Sequence, residues 1–211
     1  MKQIMFIVGH YGSGKSEFSL NYALKKGMEM IIDLDIVNPY FRSRELKALL
    51  DQEKIELVAS PLEKSLGSDL PYVSSKMYFP FYSKIKAVYD LGGNDVGAKL
   101  LRQFSELVTD YEMYIIINVF REETESKEKI IKMINQIESS SGLVVTGLIN
   151  NSNLLRETSY EDVLNGEKII KAVGEELNLP LVFTSVMESL KDYHYQGEVL
   201  PLKLYLRKEW L

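Results

Sequence analysis

The sequence predicts a three-layer α/β fold on a mostly parallel central sheet, and three observations carry that expectation. Short apolar runs recur along the chain, segments with helical spacing of apolar residues separate them, and turn residues or charges bound most of the runs. A strand covered by helices on both faces needs apolar side chains at successive positions, whereas a helix lying on the sheet needs one apolar stripe. Alternation of the two points to β-α-β units whose binding loops gather at the carboxyl ends of the strands.

The first strand is expected at Ile4–Val8, followed by a helix over residues 17–26. Further strands are expected at 30–32, 55–58, 87–89, 114–119, 143–149 and 181–183. Ile130, Ile134 and Ile137 space one helical face, and Ile169, Val173 and Leu177 another. Residues 60–84 break the pattern, because Pro61, Pro71 and Pro80 interrupt a segment too long for an ordinary connection. It reads as a lid or insertion with its own helix. Its aromatic residues Tyr72, Tyr78, Phe79, Phe81 and Tyr82 are expected to anchor it to the sheet rather than to hold a partner. Near the C-terminus Leu200, Leu202, Leu204 and Leu206 alternate with a period of two, which suits a strand or an extended docking tail and not a membrane-surface helix.

No internal repeat or composition shift marks a second unit, so residues 1–211 are read as one domain. No targeting segment is evident and no apolar run reaches the length of a membrane span, so a cytoplasmic location is expected. Cysteine is absent, which excludes disulfides, thiolate metal sites and cysteine nucleophiles. A net charge of −5 disfavours nucleic acid and anionic membranes as partners.

Residues 9–16 read Gly-His-Tyr-Gly-Ser-Gly-Lys-Ser, a complete G-x-x-x-x-G-K-[ST] phosphate-binding loop between a strand and a helix. Gly9, Gly12, Ser13, Gly14 and Glu17 are candidates for the backbone cradle around the phosphates, with Lys15 reaching the β- and γ-phosphates and the Ser16 hydroxyl on magnesium. Asp33 and Asp35 end the second strand and suit magnesium and water respectively. Asp90 ends another strand and could hold magnesium through a water, with Gly92 and Gly93 permitting a mobile loop. Beyond Asp35, Arg42 and Arg44 bring guanidinium groups toward the same crevice.

Asn150 and Asn151 follow the strand over 143–149. A guanine site of Asn-Lys-x-Asp type needs a carboxylate where this chain has Asn153, so ATP is expected over GTP.

The phosphate loop, the Asp-Leu-Asp-Ile strand end and the Asp-Leu-Gly-Gly strand end resemble the MinD/ParA/CobQ branch of P-loop ATPases, within the signal-recognition/MinD class. The resemblance spans residues 1–120 and continues more weakly to about residue 186. It implies a P-loop nucleotide-binding fold, ATP and Mg2+ as cofactors, slow hydrolysis used as a switch on an unidentified protein partner, and a nucleotide-dependent homodimer. By position it makes Asp35 the water-activating residue beside Lys15, Asp33 the acidic residue near magnesium and Asp90 the second metal motif. The P-loop ATPases that this chain resembles place an asparagine on adenine at the strand end that Asn150 and Asn151 occupy, which implies that the amide of either offers it a donor and an acceptor. ParA-type members carry another lysine at the second loop position, where this chain has His10. The alternative is a small-molecule kinase or ATP-dependent ligase resembling dethiobiotin synthetase, in which residues 60–84 close over substrate.

Overall fold

The structure is a computed structural model that describes residues 2–35, 44–59, 74–93 and 95–206. Among the described residues eight strands form one sheet: β1 Ile4–Val8, β2 Met30–Leu34, β3 Glu56–Ala59, β4 Ala87–Leu91, β5 Tyr111–Ile117, β6 Gly147–Asn150, β7 Leu181–Met187 and β8 Glu198–Leu202. Their order is β3-β2-β4-β1-β5-β6-β7-β8. Every pairing is parallel, so the expected mostly parallel sheet is fully so.

Alternation of side chains divides the core in two. Ile4, Phe6 and Val8 of β1 face one side, where Tyr89, Ile115, Leu101, Ile134 and Val173 join them. This layer is covered by α4 (Asp95–Arg102), α5 (Lys127–Ser141) and α6 (Tyr160–Leu177). Met5 and Ile7 face the other side with Ile31, Val88, Phe18 and Leu50, beneath α1 (Lys15–Lys26) and α2 (Arg44–Gln52). Neither face of the central strands is open to water, which is why β1, β2 and β4 are buried at every position.

Helix ends follow local chemistry. Ser159 caps α6 in a reciprocal box with Asp162, so the helix begins nine residues before the apolar face starting at Ile169. Gly142 in the left-handed conformation ends α5, and Asn178 does the same for α6. Strand β6 is shorter than the apolar run over 143–149 suggests. Val144 ahead of it donates its N–H to the Tyr111 hydroxyl at 3.0 Å, and the ladder begins only at Gly147. Strand β7 is longer than its apolar signal because the buried Thr184 and Ser185 continue it with paired hydroxyls.

Of the segment over 60–84, residues 60–73, with Tyr72, lie outside the described residues. Past them, a short 3-10 turn (Ser75–Tyr78) leads into α3 (Phe79–Tyr82). Tyr78 and Phe81 anchor it, their rings 5.0 and 5.3 Å from that of Phe104. Phe79 and Tyr82 point outward at 52 % and 73 % exposure, so only half of the described cluster anchors.

Two carboxylates fasten the last strand. Glu167 of α6, 2 % exposed, accepts the Thr184 hydroxyl and the Gln196 N–H at 3.0 Å just before β8. Past β8 the chain lies along α1, where Glu17, Asn21 and Lys25 stand one turn apart on one face. Glu17 accepts the N–H groups of Tyr205 (2.7 Å) and Leu206 (3.1 Å). The Asn21 amide pairs with both backbone groups of Lys203 at 2.9 Å, and Lys25 Nζ donates to the Pro201 carbonyl at 2.6 Å. The alternating leucines thus divide between strand β8 and a tail zipped to α1.

Candidate functional site

The loop between β1 and α1 lies at the carboxyl edge of the sheet, with β4 and β5 on either side of β1. Gly14 sits at the N-cap of α1 with φ +91° and supplies no side-chain cap, so the first N–H groups of the helix keep their affinity for an anion. A Cβ at Gly14 would collide with the Asn151 amide. Lys15 is only 6 % exposed and its Nζ donates to the His10 carbonyl at 2.8 Å, closing the loop on itself. Burial lowers the pKa of Lys15, and the nearby carboxylates of Asp90 and Asp35 oppose that shift.

Asp33 and Asp90 are register partners on adjacent strands, and Ile7 of β1 pairs with Asp90 from the other side. Both carboxylates therefore face the start of α1. Asp33 Oδ1 accepts the Asp35 N–H at 2.9 Å, turning the chain at the end of β2. Asp90 is fully buried and receives the Ser19 hydroxyl at 3.3 Å. Desolvation pushes its pKa up to about 6, while the Ser16 hydroxyl and Lys15 favour the ionised form.

Two buried polar atoms, Ser13 Oγ and Asp90 Oδ2, lack hydrogen-bond partners among the described residues. One is a hydroxyl in the phosphate loop and the other a carboxylate oxygen beside it. Such atoms suit an anion and a hard cation in turn. No cluster of three or more His, Asp or Glu side chains able to hold a metal occurs among the described residues. A cation at Asp90 and Ser16 would therefore complete its shell with phosphate oxygens and water, which is how Mg2+ is commonly bound.

The loop after β4 approaches closely, since a Cβ at Gly93 would collide with the Tyr11 backbone and lie 2.8 Å from Lys15 Nζ. Only glycine fits there. Gly93, just past the acidic end of β4, thus lies directly against the lysine of the phosphate loop.

One cavity is lined by Gly12, Lys15, Ser16 and Asp35 together with Asn151, Asn153 and Met187. Asn151 lines it, but its amide donates to the Ser13 carbonyl at 2.7 Å and accepts the Ser185 hydroxyl at 2.6 Å. Asn150 is fully buried, donating to the Val163 carbonyl at 3.0 Å and accepting the Ser152 N–H at 3.0 Å, and does not line the cavity. Asn153 faces the cavity with capacity left: its Oδ1 accepts the Leu155 N–H at 3.3 Å and its Nδ2 donates to the Asn151 carbonyl at 2.7 Å. Glu17 borders the cavity while its carboxylate holds the tail. Arg42 and the Arg44 side chain lie outside the described residues.

Arg121 reaches this cavity without having stood out in the sequence. Its guanidinium lies within 4 Å of where a Cβ on Gly12 would be. The turn that carries it is rigid: the Thr124 hydroxyl donates to the Asn118 carbonyl at 2.7 Å, and Asn118 Oδ1 accepts the Phe120 N–H at 3.0 Å. A cation two residues beyond a strand's apolar run was the available signal, but the sequence does not reveal that β5 lies beside β1. His10 points along the same rim, 3.6 Å from Glu123.

No protein-family model matches the chain, and no curated protein does. Solved structures do resemble it. The cell division protein FtsY from Thermotoga maritima superposes with a TM-score of 0.57 at 16 % identity, over 90 % of this chain and 63 % of that one. The signal recognition particle receptor FtsY from Elizabethkingia anophelis in complex with GDP gives 0.56 at 14 % identity, over 97 % and 61 %. The 54 kDa signal recognition particle protein from Aeropyrum pernix K1, also in complex with GDP, gives 0.51 at 14 %, over 84 % and 40 %. The fold is that of a P-loop NTPase. The chain spans about three fifths of the length of the FtsY proteins it resembles, and no described helix is long and apolar enough to cross a membrane.

The Asp90 pKa gives a test. In the unfolded chain this carboxyl ionises near 3.8, in the folded chain near 6. Folding therefore becomes costlier as pH rises through that window, by about 3 kcal/mol in the absence of ligand. Asp90→Asn removes this contribution to the dependence. Urea unfolding of the ligand-free proteins should show the variant more stable at pH 7.5, with the difference shrinking toward pH 4.5; a pH-independent difference contradicts this account.

Proposed function

We propose that this protein is a magnesium-dependent ATPase that cycles slowly between nucleotide states and acts as a switch on a protein partner. The observation that carries the reading is the phosphate loop itself: an uncapped α1 N-terminus, a buried lysine between Asp35 and Asp90, and orphaned polar atoms on both sides of it. In this reading the N–H groups of residues 12–17 and Lys15 hold the phosphates. Ser16 and Asp90, with Asp33 alongside, hold Mg2+ directly or through water; the ion supplies charge neutralisation at the β- and γ-phosphates. Asp35 orients the attacking water, and Arg121 offsets charge developing on the phosphates. The GDP bound to two of the fold's relatives supports a nucleotide in this cavity.

For the base we take Asn153 ahead of Asn150 and Asn151, because Asn150 is sealed off from the cavity and Asn151 is nearly buried, whereas Asn153 lines the cavity part-exposed. Asn153 keeps one N–H and one acceptor lone pair unused, a set matching adenine N1 and the N6 amino group. Guanine presents two adjacent donors, which a carboxylate satisfies better. ATP is therefore our assignment. The MinD/ParA/CobQ resemblance favours a dimer across the nucleotide, with His10 where a second lysine would stand.

One observation favours the alternative of a small-molecule kinase or ATP-dependent ligase. A separate cavity of about 380 Å³ adjoins His10, Gly92 and Gly93 and is walled by Ala98, Met133 and Gln136. An acceptor there would be close to the terminal phosphate. ADP and phosphate formed without added metabolite support the switch, whereas strict dependence on a metabolite supports transfer.

Three variants test the assignments. Lys15→Ala should weaken ATP binding at least about 100-fold in calorimetry, losing charge-assisted contacts to two phosphates. Asp35→Ala should bind ATP within about threefold of wild type yet lose about 100-fold or more in turnover, since it acts in the transition state. If the dimer reading holds, light scattering should show the trapped Asp35→Ala protein dimeric with ATP–Mg2+ and monomeric with ADP. Asn153→Asp should move the ATP-to-GTP affinity ratio about tenfold or more toward GTP; an unchanged ratio removes Asn153 from base recognition.

A further inference from the structure

The tail past β8 is not merely packed against α1. Leu202, Leu204 and Leu206 all line the same cavity as Lys15 and Asn153. Leu202 and Leu206 also belong to the apolar layer beneath α1, but Leu204 joins none of the hydrophobic clusters among the described residues. It is half-buried and borders the cavity. Its position is fixed from both sides, by Asn21 on Lys203 and by Glu17 on Tyr205 and Leu206.

We infer that residues 202–206 form the apolar wall against which the nucleobase packs, and that Glu17 and Asn21 are positioning residues which hold this wall from the helix that begins at the phosphates. The inference rests on the nucleotide reading above and adds to it a division of α1: its N–H groups and Lys15 take the phosphates, while the buried face of its first turns, through Glu17 and Asn21, carries the base wall. The Glu17 carboxylate thereby contributes to nucleotide binding through the tail. A nucleobase is flat and apolar on its faces, so one face needs aliphatic or aromatic cover while its edge is read by polar groups. Met187, which pairs with Leu202 in the β7–β8 ladder, and Val186 line the same cavity, as does Asn153, the candidate for the edge. Reciprocity follows, because a base that is held by the tail must also stabilise the tail.

The test compares full nucleotides with inorganic tripolyphosphate, which carries the phosphates without the base. In the full-length protein, Leu204→Ala should weaken ATP and ADP binding equally, about tenfold, leave tripolyphosphate binding unchanged and leave the ligand-free melting temperature within about 2 °C. Glu17→Gln should give the same split, raising KM for ATP with kcat unchanged, because an amide replaces the charged acceptor of two backbone N–H groups. Hydrogen exchange at Tyr205 and Leu206 should slow with ATP or ADP and not with tripolyphosphate. Wild-type affinity of Leu204→Ala for ATP, or equal losses of ATP and tripolyphosphate, overturns the inference. If wild-type protein binds tripolyphosphate and no nucleotide, the wall has no base to meet and the inference falls while the phosphate site stands. If it binds neither, the nucleotide reading itself falls.

Discussion

The arrangement at the carboxyl edge of the sheet depends on one constraint: an ammonium group has to be kept charged while nearly sealed from water. Desolvating an ion costs several kcal/mol unless hydrogen bonds and opposite charge repay it. For Lys15 the repayment comes from the His10 carbonyl at 2.8 Å and from the fields of Asp90 and Asp35. Each partner is delivered by a different element, the carbonyl by the loop after β1, Asp90 by β4 and Asp35 by the end of β2. The parallel order β2-β4-β1 brings all three to one place, and the register that sets Asp33 beside Asp90 turns both toward α1. Asp90 bears the cost, since burial raises its pKa to about 6. A site that strains a carboxylate upward and leaves one of its oxygens orphaned is poised for a cation and an anion to arrive together.

Much of this was legible in the sequence because it is local. The phosphate loop is contiguous, its glycines and lysine are adjacent in chain order, and the Asp-Leu-Asp and Asp-Leu-Gly-Gly strand ends carry both apolar run and carboxylate within a few residues. Strand and helix alternation was equally plain, because burying both faces of a parallel strand leaves a continuous apolar run. The parts that escaped depend on lateral neighbours. Arg121 acts at Gly12 only because β5 lies beside β1, which chain order does not state. Asn150 and Asn151 stand at the end of β6 as expected, but both are buried, one amide holding α6 and the other bracing the phosphate loop. Thr184 and Ser185 looked like the end of a strand, whereas their hydroxyls find buried partners that allow β7 to continue.

The same lateral logic joins the two ends of the chain. Helix α1 starts at the phosphate loop and, on one face, fastens the segment after β8 through Glu17, Asn21 and Lys25. On the opposite side of the loop, Gly93 presses on Tyr11 and leads into α4. A ligand at Lys15 thus stands between a tail held by carboxylate and amide clamps and Gly93, whose backbone lies close against Tyr11 and Lys15. The first suits recognition and the second suits a change of state. In the proposed cycle the base would be read by the former, and gain or loss of the terminal phosphate would be felt by the latter.

The most direct test of the central claim is calorimetric titration of the purified protein with ATP and with GTP, each with Mg2+ and with the metal chelated. The account predicts saturable one-site binding of ATP that tightens with Mg2+ and exceeds that of GTP. Failure of both nucleotides to bind, with the protein folded and Mg2+ present, would contradict it.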